Sequence, residues 1–183
     1  GRSWTDGRVR AFDHDFGSYS DFEKAIPYGV FDTIANEGFV YLATGADTGE
    51  LAADALRRWW YRLGRKRYEG AEGILVLADC GGSNGYRVPL YRELLHEVAD
   101  AVDCPIRVAH LPPYCSKYFP IDHRLFCLLC RVLSGRLVES LQWMQTLFSQ
   151  VTTNTGLSVV CELARKTYRS GCKASEEFRN NDP

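Results

Sequence analysis

At 183 residues, 45% hydrophobic and 25% charged, the chain can enclose a sizeable core and does not have the composition of a disordered polymer. Its formal net charge of -1 speaks by itself against a nucleic-acid partner, so the distribution of charge must decide that question. No apolar run approaches the length of about 18 residues that a membrane-spanning helix needs, and no secretory leader pattern is seen, so an intracellular protein is expected.

In chain order, residues 1–8 read as a polar lead-in, 9–168 as one domain and 169–183 as a polar, frayed tail. A first strand is expected at 9–16 and a second at 25–31, where Pro27 predicts an edge position or a bulge. The Asn36-Glu37-Gly38 turn leads to a third strand at 39–44 and closes an antiparallel meander. Asp47 or Thr48 can cap a helix over 49–63, with Leu51, Ala55, Trp59 and Leu63 on its apolar face and Gly64 as its stop. The continuous apolar run 73–79 reads as a central strand buried on both faces. A helix at 91–101, a strand at 106–109, a helix at 122–133 and a further helix over 138–152 complete a mixed α/β pattern.

Charge is distributed unevenly along this pattern. Arg57, Arg58, Arg62, Arg65, Lys66 and Arg67 fall in a stretch that contains no acid, a stripe suited to gripping a polyanion. Seven cysteines in an intracellular setting point to free thiols. Cys127 and Cys130 have metal-ligand spacing but no second pair, and their apolar surroundings read as a buried helix face.

Asp79 closes the 73–79 run and is followed by Cys80-Gly81-Gly82-Ser83-Asn84-Gly85. Functional groups of alternating α/β sheets gather beyond the carboxyl ends of strands, and a glycine-rich turn lets backbone approach a phosphate. The turn lacks the Lys-Ser/Thr of a P-loop, so nucleotide binding is a weaker reading. Farther on, three prolines around Lys117 stiffen the entry to a helix that begins at Asp122, an acid favoured there by the helix dipole.

The turn Ala78-Asp79-Cys80-Gly81-Gly82-Ser83-Asn84-Gly85-Tyr86-Arg87 and the block Pro112-Pro113-Tyr114-Cys115-Ser116-Lys117, then Ile121-Asp122-His123-Arg124-Leu125-Phe126, resemble the Rhodopirellula-type transposases of the DDE superfamily. The likeness extends through His14-Asp15-Phe16, Lys24 to Asp32, Asn36 to Val40, Arg57-Arg58-Trp59-Trp60 and Thr155-Gly156-Leu157. It implies a ribonuclease H-like fold: a mixed five-stranded sheet of three antiparallel strands followed by parallel strands, flanked by helices.

The resemblance also implies a catalytic and metal-binding triad. Asp79 matches the second acid of the family, and Asp122 stands where its block usually carries glutamate. Asp15 is the choice for the first acid; Asp13, on the same face of a strand, and Asp32, at the end of the next, remain alternatives. Such carboxylates would hold two Mg²⁺ (or Mn²⁺) ions for cleavage and joining of DNA strands. Lys117 and Arg124, with the Arg57–Arg67 stripe, would contact phosphates. The implied partner is double-stranded DNA, both element ends and target, with a homodimer as one assembly and no membrane association. The implied location is the bacterial cytoplasm, at the nucleoid. The family's amino-terminal DNA-recognition helices are not seen in these residues, so a catalytic domain by itself is expected. The alternative is an inactive or repurposed DNA- or protein-binding module that kept the fold.

Overall fold

The computed structural model describes residues 24–112 and 115–181, which form two compact units. The first unit combines residues up to Gly45 with Phe119–Thr167, and the second combines Ala46–Tyr118 with the residues from Tyr168 onward.

In the first unit, β1 (Ala25–Asp32) and β2 (Glu37–Gly45) form an antiparallel hairpin in the register Ala25↔Thr44 to Asp32↔Glu37. The Asp32 carboxylate shapes its turn by accepting the Ile34 and Ala35 N–H groups at 3.0 and 2.9 Å. β5 (Ser158–Tyr168) lies on the other side of β2, giving the order β1-β2-β5. Among the described strands Pro27 sits on an outer one, where a missing N–H is tolerated. Two helices follow the hairpin in this unit, α4 (Cys127–Leu133) and α5 (Leu141–Ser149), the latter capped by Ser140 through the Trp143 N–H. Val40, Leu42, Leu125, Leu129, Met144, Phe148, Leu157 and Val159 form the core of this unit.

In the second unit, Thr48 caps α1 (Gly49–Trp59) by accepting the Leu51 N–H at 3.2 Å. The helix does not stop at Gly64. It continues through a π turn, Trp60–Gly64, into the short α2 (Arg65–Arg67). Gly64 has ordinary helical dihedrals, and a Cβ there would lie 2.7 Å from the Trp60 ring, so this glycine makes room for an indole. The wide turn also shifts the buried face, so that Gly64 is buried where Leu63 was expected. α1 packs on α3 (Pro89–Val102). β3 (Ile74–Ala78) and β4 (Ile106–His110) pair in parallel, with Ile74↔Ile106 through Ala78↔His110 in register.

The other expectations compare as follows. The described strands form a three-stranded and a two-stranded sheet, and one mixed five-stranded sheet is not seen among the described residues. The expected first strand at 9–16 lies outside them. β3 is not buried on both faces: Leu75 and Leu77 are 63% and 51% exposed, and the strand buried throughout its first seven residues is β2. A five-residue apolar run has the same sequence signature whether one face or two are covered, so periodicity alone could not separate the cases. Cys127 and Cys130 are exposed, because the helix turns Leu125, Leu129 and Leu133 toward the core instead. The polar tail contains α6 (Glu176–Asn181), which packs on α3; Ser175 N–H donates to Glu93 at 2.9 Å, and Phe178 lies against His96.

Replacing Leu125, wholly buried, with Ala is expected to cost about 2–5 kcal/mol. Leu75→Ala on the exposed face of β3 is expected to stay within about 0.5 kcal/mol. Urea unfolding followed by tryptophan fluorescence distinguishes the two, and equal losses would contradict this assignment of the core.

Candidate active site

The parallel register brings the carboxyl ends of β3 and β4 to the same level, since Ala78 pairs with His110 and Leu111 N–H then donates to Ala78 O at 2.9 Å. Asp79 follows immediately and is exposed. The chain next folds into a one-turn 3-10 segment, Gly82–Asn84, with Gly82 at φ +73°, a conformation that any residue with a Cβ resists.

This turn is fastened on several sides within its own unit. Ser83 Oγ donates to Asp47 Oδ1 at 2.6 Å, and His110 Nε2 donates to the Asn84 carbonyl at 3.0 Å. The Asn84 amide nitrogen, turned toward its two acceptors, donates to Asp79 Oδ1 at 2.9 Å and to Gly81 O at 3.1 Å. Gly49, at the start of α1, comes so close that a Cβ would lie 3.0 Å from Tyr91 Cβ and 3.2 Å from Ser83 O. Burial pushes the Tyr91 hydroxyl up to about 12, so it stays protonated across the physiological range. Beyond the turn, Tyr86 lies edge-on to His110 at 5.8 Å, and the Arg87 guanidinium stacks on Tyr86 at 5.2 Å.

Asp122 belongs to the first unit. A helix begins at Pro120, with Asp122 N–H donating to Phe119 O at 3.3 Å, and passes through a π turn, Asp122–Phe126, into α4. Residues five apart align in such a turn, so Ile121 and Phe126 both reach Gly29 of the hairpin. A Cβ on Gly29 would lie 2.7 Å from Phe126 Cζ, and one on Gly38 would lie 2.6 Å from Leu125 Cδ1. These two glycines form the hollow that seats the helix. Arg124 fastens it further, donating to Asn36 Oδ1 at 2.8 Å with its guanidinium 5.1 Å from the Phe31 ring centre. Asp122 itself is half-buried.

The remaining anticipated residues are placed as follows. Asp15 and Asp13 lie outside the described residues. Asp32 is buried in the hairpin turn, where its carboxylate serves the backbone. Arg57 pairs with Asp54 at 2.7 Å, just upstream of the acid-free stretch. Arg58 is half-buried, whereas Arg62, Arg65, Lys66 and Arg67 are exposed, and Arg58, Arg62 and Lys66 recur at four-residue spacing. Lys117 is exposed and stacks on Tyr118 at 4.9 Å. Among the described residues, no group of three or more His, Cys, Asp or Glu could hold a metal ion. None of their helices is long and apolar enough to cross a membrane.

Asn84 and His110 were not anticipated. Their signal was faint: an amide five residues after the acid, and a histidine closing the neighbouring parallel strand. The carboxylate chemistry at Asp79 fits a hard divalent cation. Its neighbour Cys80 donates its thiol hydrogen to Leu111 O at 2.8 Å, which turns the soft sulfur toward the backbone.

The family model described as Rhodopirellula transposase DDE domain matches residues 1–181. The chain belongs to that family. The match takes in both units, the Asp79 turn and the Asp122 helix, and a DDE domain carries with it the ribonuclease H-like fold and a transposase lineage. No curated protein and no solved structure matches the chain.

Cysteine environments give a direct check. Burial, aided by the charge of Glu162, pushes the Cys161 thiol up to about 12, so it presents almost no thiolate at neutral pH. In the native protein a maleimide should label Cys127, Cys130 and Cys172 first, while Cys104 and Cys161 react only on unfolding. Peptide mass mapping over time reads the order, and early labelling of Cys161 would contradict it.

Proposed function

We propose that this domain cleaves and rejoins DNA phosphodiesters as the catalytic part of a transposase, using Asp15, Asp79 and Asp122. The observation that carries the reading is the position of Asp79. In a chain matched to a DDE domain over residues 1–181, it is the carboxylate that closes a parallel strand and begins a glycine-rich turn. Asp15 and Asp122 complete the proposed triad through the family block, within the five-stranded ribonuclease H-like sheet that this reading includes. The three carboxylates would hold two Mg²⁺ or Mn²⁺ ions, hard cations matched to oxygen donors. When bound, such ions offset the negative charge that makes phosphodiesters resist anionic attack.

The protein's own contribution is to hold and aim. The locked turn keeps Asp79 at the strand end, and the glycine hollow of the hairpin keeps the Asp122 helix in place. The exposed Arg62, Arg65, Lys66 and Arg67, together with Arg57, Arg58, Lys117 and Arg124, are assigned to the phosphates of double-stranded DNA. Phosphate contacts of this kind give affinity and register without reading sequence.

A second reading, a binding module that has lost catalysis, is favoured by one observation: position 122 carries aspartate where the family block has glutamate. The shorter side chain retracts the carboxylate by one methylene.

Two experiments test the proposal. Mg²⁺- or Mn²⁺-dependent nicking of DNA carrying the element ends should fall at least about 100-fold in Asp79→Asn, which is about 2.7 kcal/mol of barrier. Nicking that persists in the variant would refute the assignment, and a wild-type chain that binds DNA but never cuts it would support the second reading. Separately, changing Arg62, Arg65 and Lys66 together to Ala should weaken binding to duplexes of any sequence. The slope of log affinity against log salt should become shallower by about 0.9 for each lost phosphate contact. An unchanged slope would remove the basic stripe from the interface.

A further inference from the structure

We propose that Asn84 is the positioning residue for Asp79, holding its carboxylate in one orientation toward a divalent cation; this rests on the metal-dependent reading given above. Asp79 is exposed at the end of a strand, where an aspartate side chain would ordinarily exchange among rotamers. The Asn84 amide limits that freedom by donating to Oδ1 at 2.9 Å. The same nitrogen donates to Gly81 O at 3.1 Å, so the carboxylate is tied to the backbone of its own turn.

The chemistry of the donor matters. A lysine or arginine in this place would bring a full positive charge and compete with a cation for the carboxylate. A neutral amide orients the oxygen without adding positive charge. The Asn84 bond takes up one of the about four lone-pair positions of a carboxylate.

Asn84 is itself held from behind. Its carbonyl oxygen can only accept, so the His110 Nε2 that lies 3.0 Å away carries the hydrogen. His110 is placed by the parallel register opposite Ala78, the residue before Asp79. Gly82 at φ +73° bends the chain so that position 84 faces back toward position 79. The result is a relay from strand β4 through His110 and Asn84 to the carboxylate that follows β3. Partners in the outer shell of metal ligands typically change metal affinity or activity by about 10- to 100-fold when removed.

The test is Mn²⁺ titration of the full 183-residue chain, with the free ion followed by electron paramagnetic resonance. Melting of each variant without metal shows that it is folded. Asn84→Ala is expected to weaken Mn²⁺ binding about 10- to 100-fold. Asn84→Gln, which keeps an amide donor on a longer arm, is expected to recover part of that loss. Ser83→Ala cuts the bond to Asp47 but leaves the Asn84 amide, and it should bind within about twofold of wild type, well short of the outer-shell effect. Wild-type affinity in Asn84→Ala overturns the proposal. A loss in Ser83→Ala as large as in Asn84→Ala, or no recovery in Asn84→Gln, overturns it too by reducing the effect to a loosened turn. Should Asn84→Ala fail to fold, the Gln and Ser83 arms still decide. If the wild-type chain does not bind Mn²⁺ at all, the metal-dependent reading itself fails, an outcome distinct from any difference among variants.

Discussion

The parallel pairing of β3 with β4 is the constraint on which the candidate site depends. Because Ala78 and His110 lie opposite each other, both strands end at one level, and the backbone bond from Leu111 to Ala78 extends the ladder by one more step. That places a carboxylate and a histidine beside a single turn. Everything that orders the turn then follows from short-range chemistry: a left-handed glycine, a serine tied to Asp47 and an asparagine bridging the carboxylate to its own loop. A shift of one residue in this register would put His110 on the opposite face of the sheet and leave the Asn84 carbonyl without its donor.

Asp122 depends on a different device. Its helix is seated by subtraction of side chains: Gly29 and Gly38 leave a hollow on the hairpin face, and Phe126 and Leu125 fill it. The π turn makes that seating work, because it brings Ile121 and Phe126 into line while Leu125 remains fully buried. A second π turn does a similar job after α1, where Gly64 accommodates the Trp60 ring and the basic residues continue outward beyond the point where a glycine stop was expected. Both wide turns lie where large aromatic side chains must fit beside small ones.

Much of the element pattern was legible from residue order. Thr48 announces α1 and Asn36-Glu37-Gly38 announces the hairpin, each through a local preference that needs no distant partner. β5 was missed although Val159, Cys161 and Leu163 alternate, because Val160 breaks the alternation and Arg165 puts a charge at the next position of the same face. Within the site, Asp79 and its glycine-rich turn stood out by position and motif. Asn84 and His110 did not, since a hydrogen bond between residues five and 26 apart leaves no period in the sequence.

Sequence alone determined the family, the acids at positions 79 and 122, and the run of bases from Arg57 to Arg67, because each is a matter of residue type and spacing along one segment. Only tertiary structure decided which apolar residues are covered. Leu75 and Leu77 face outward while Leu125 is sealed under a glycine, and Cys127 and Cys130 point away from the core that a neighbouring leucine occupies. The physical reason is that hydrophobicity fixes a residue's preference for burial, whereas the neighbour that grants it arrives from elsewhere in the chain. The same holds for Asp79: its identity is local, but its orientation is set by an amide and a histidine that the strand pairing brings to it.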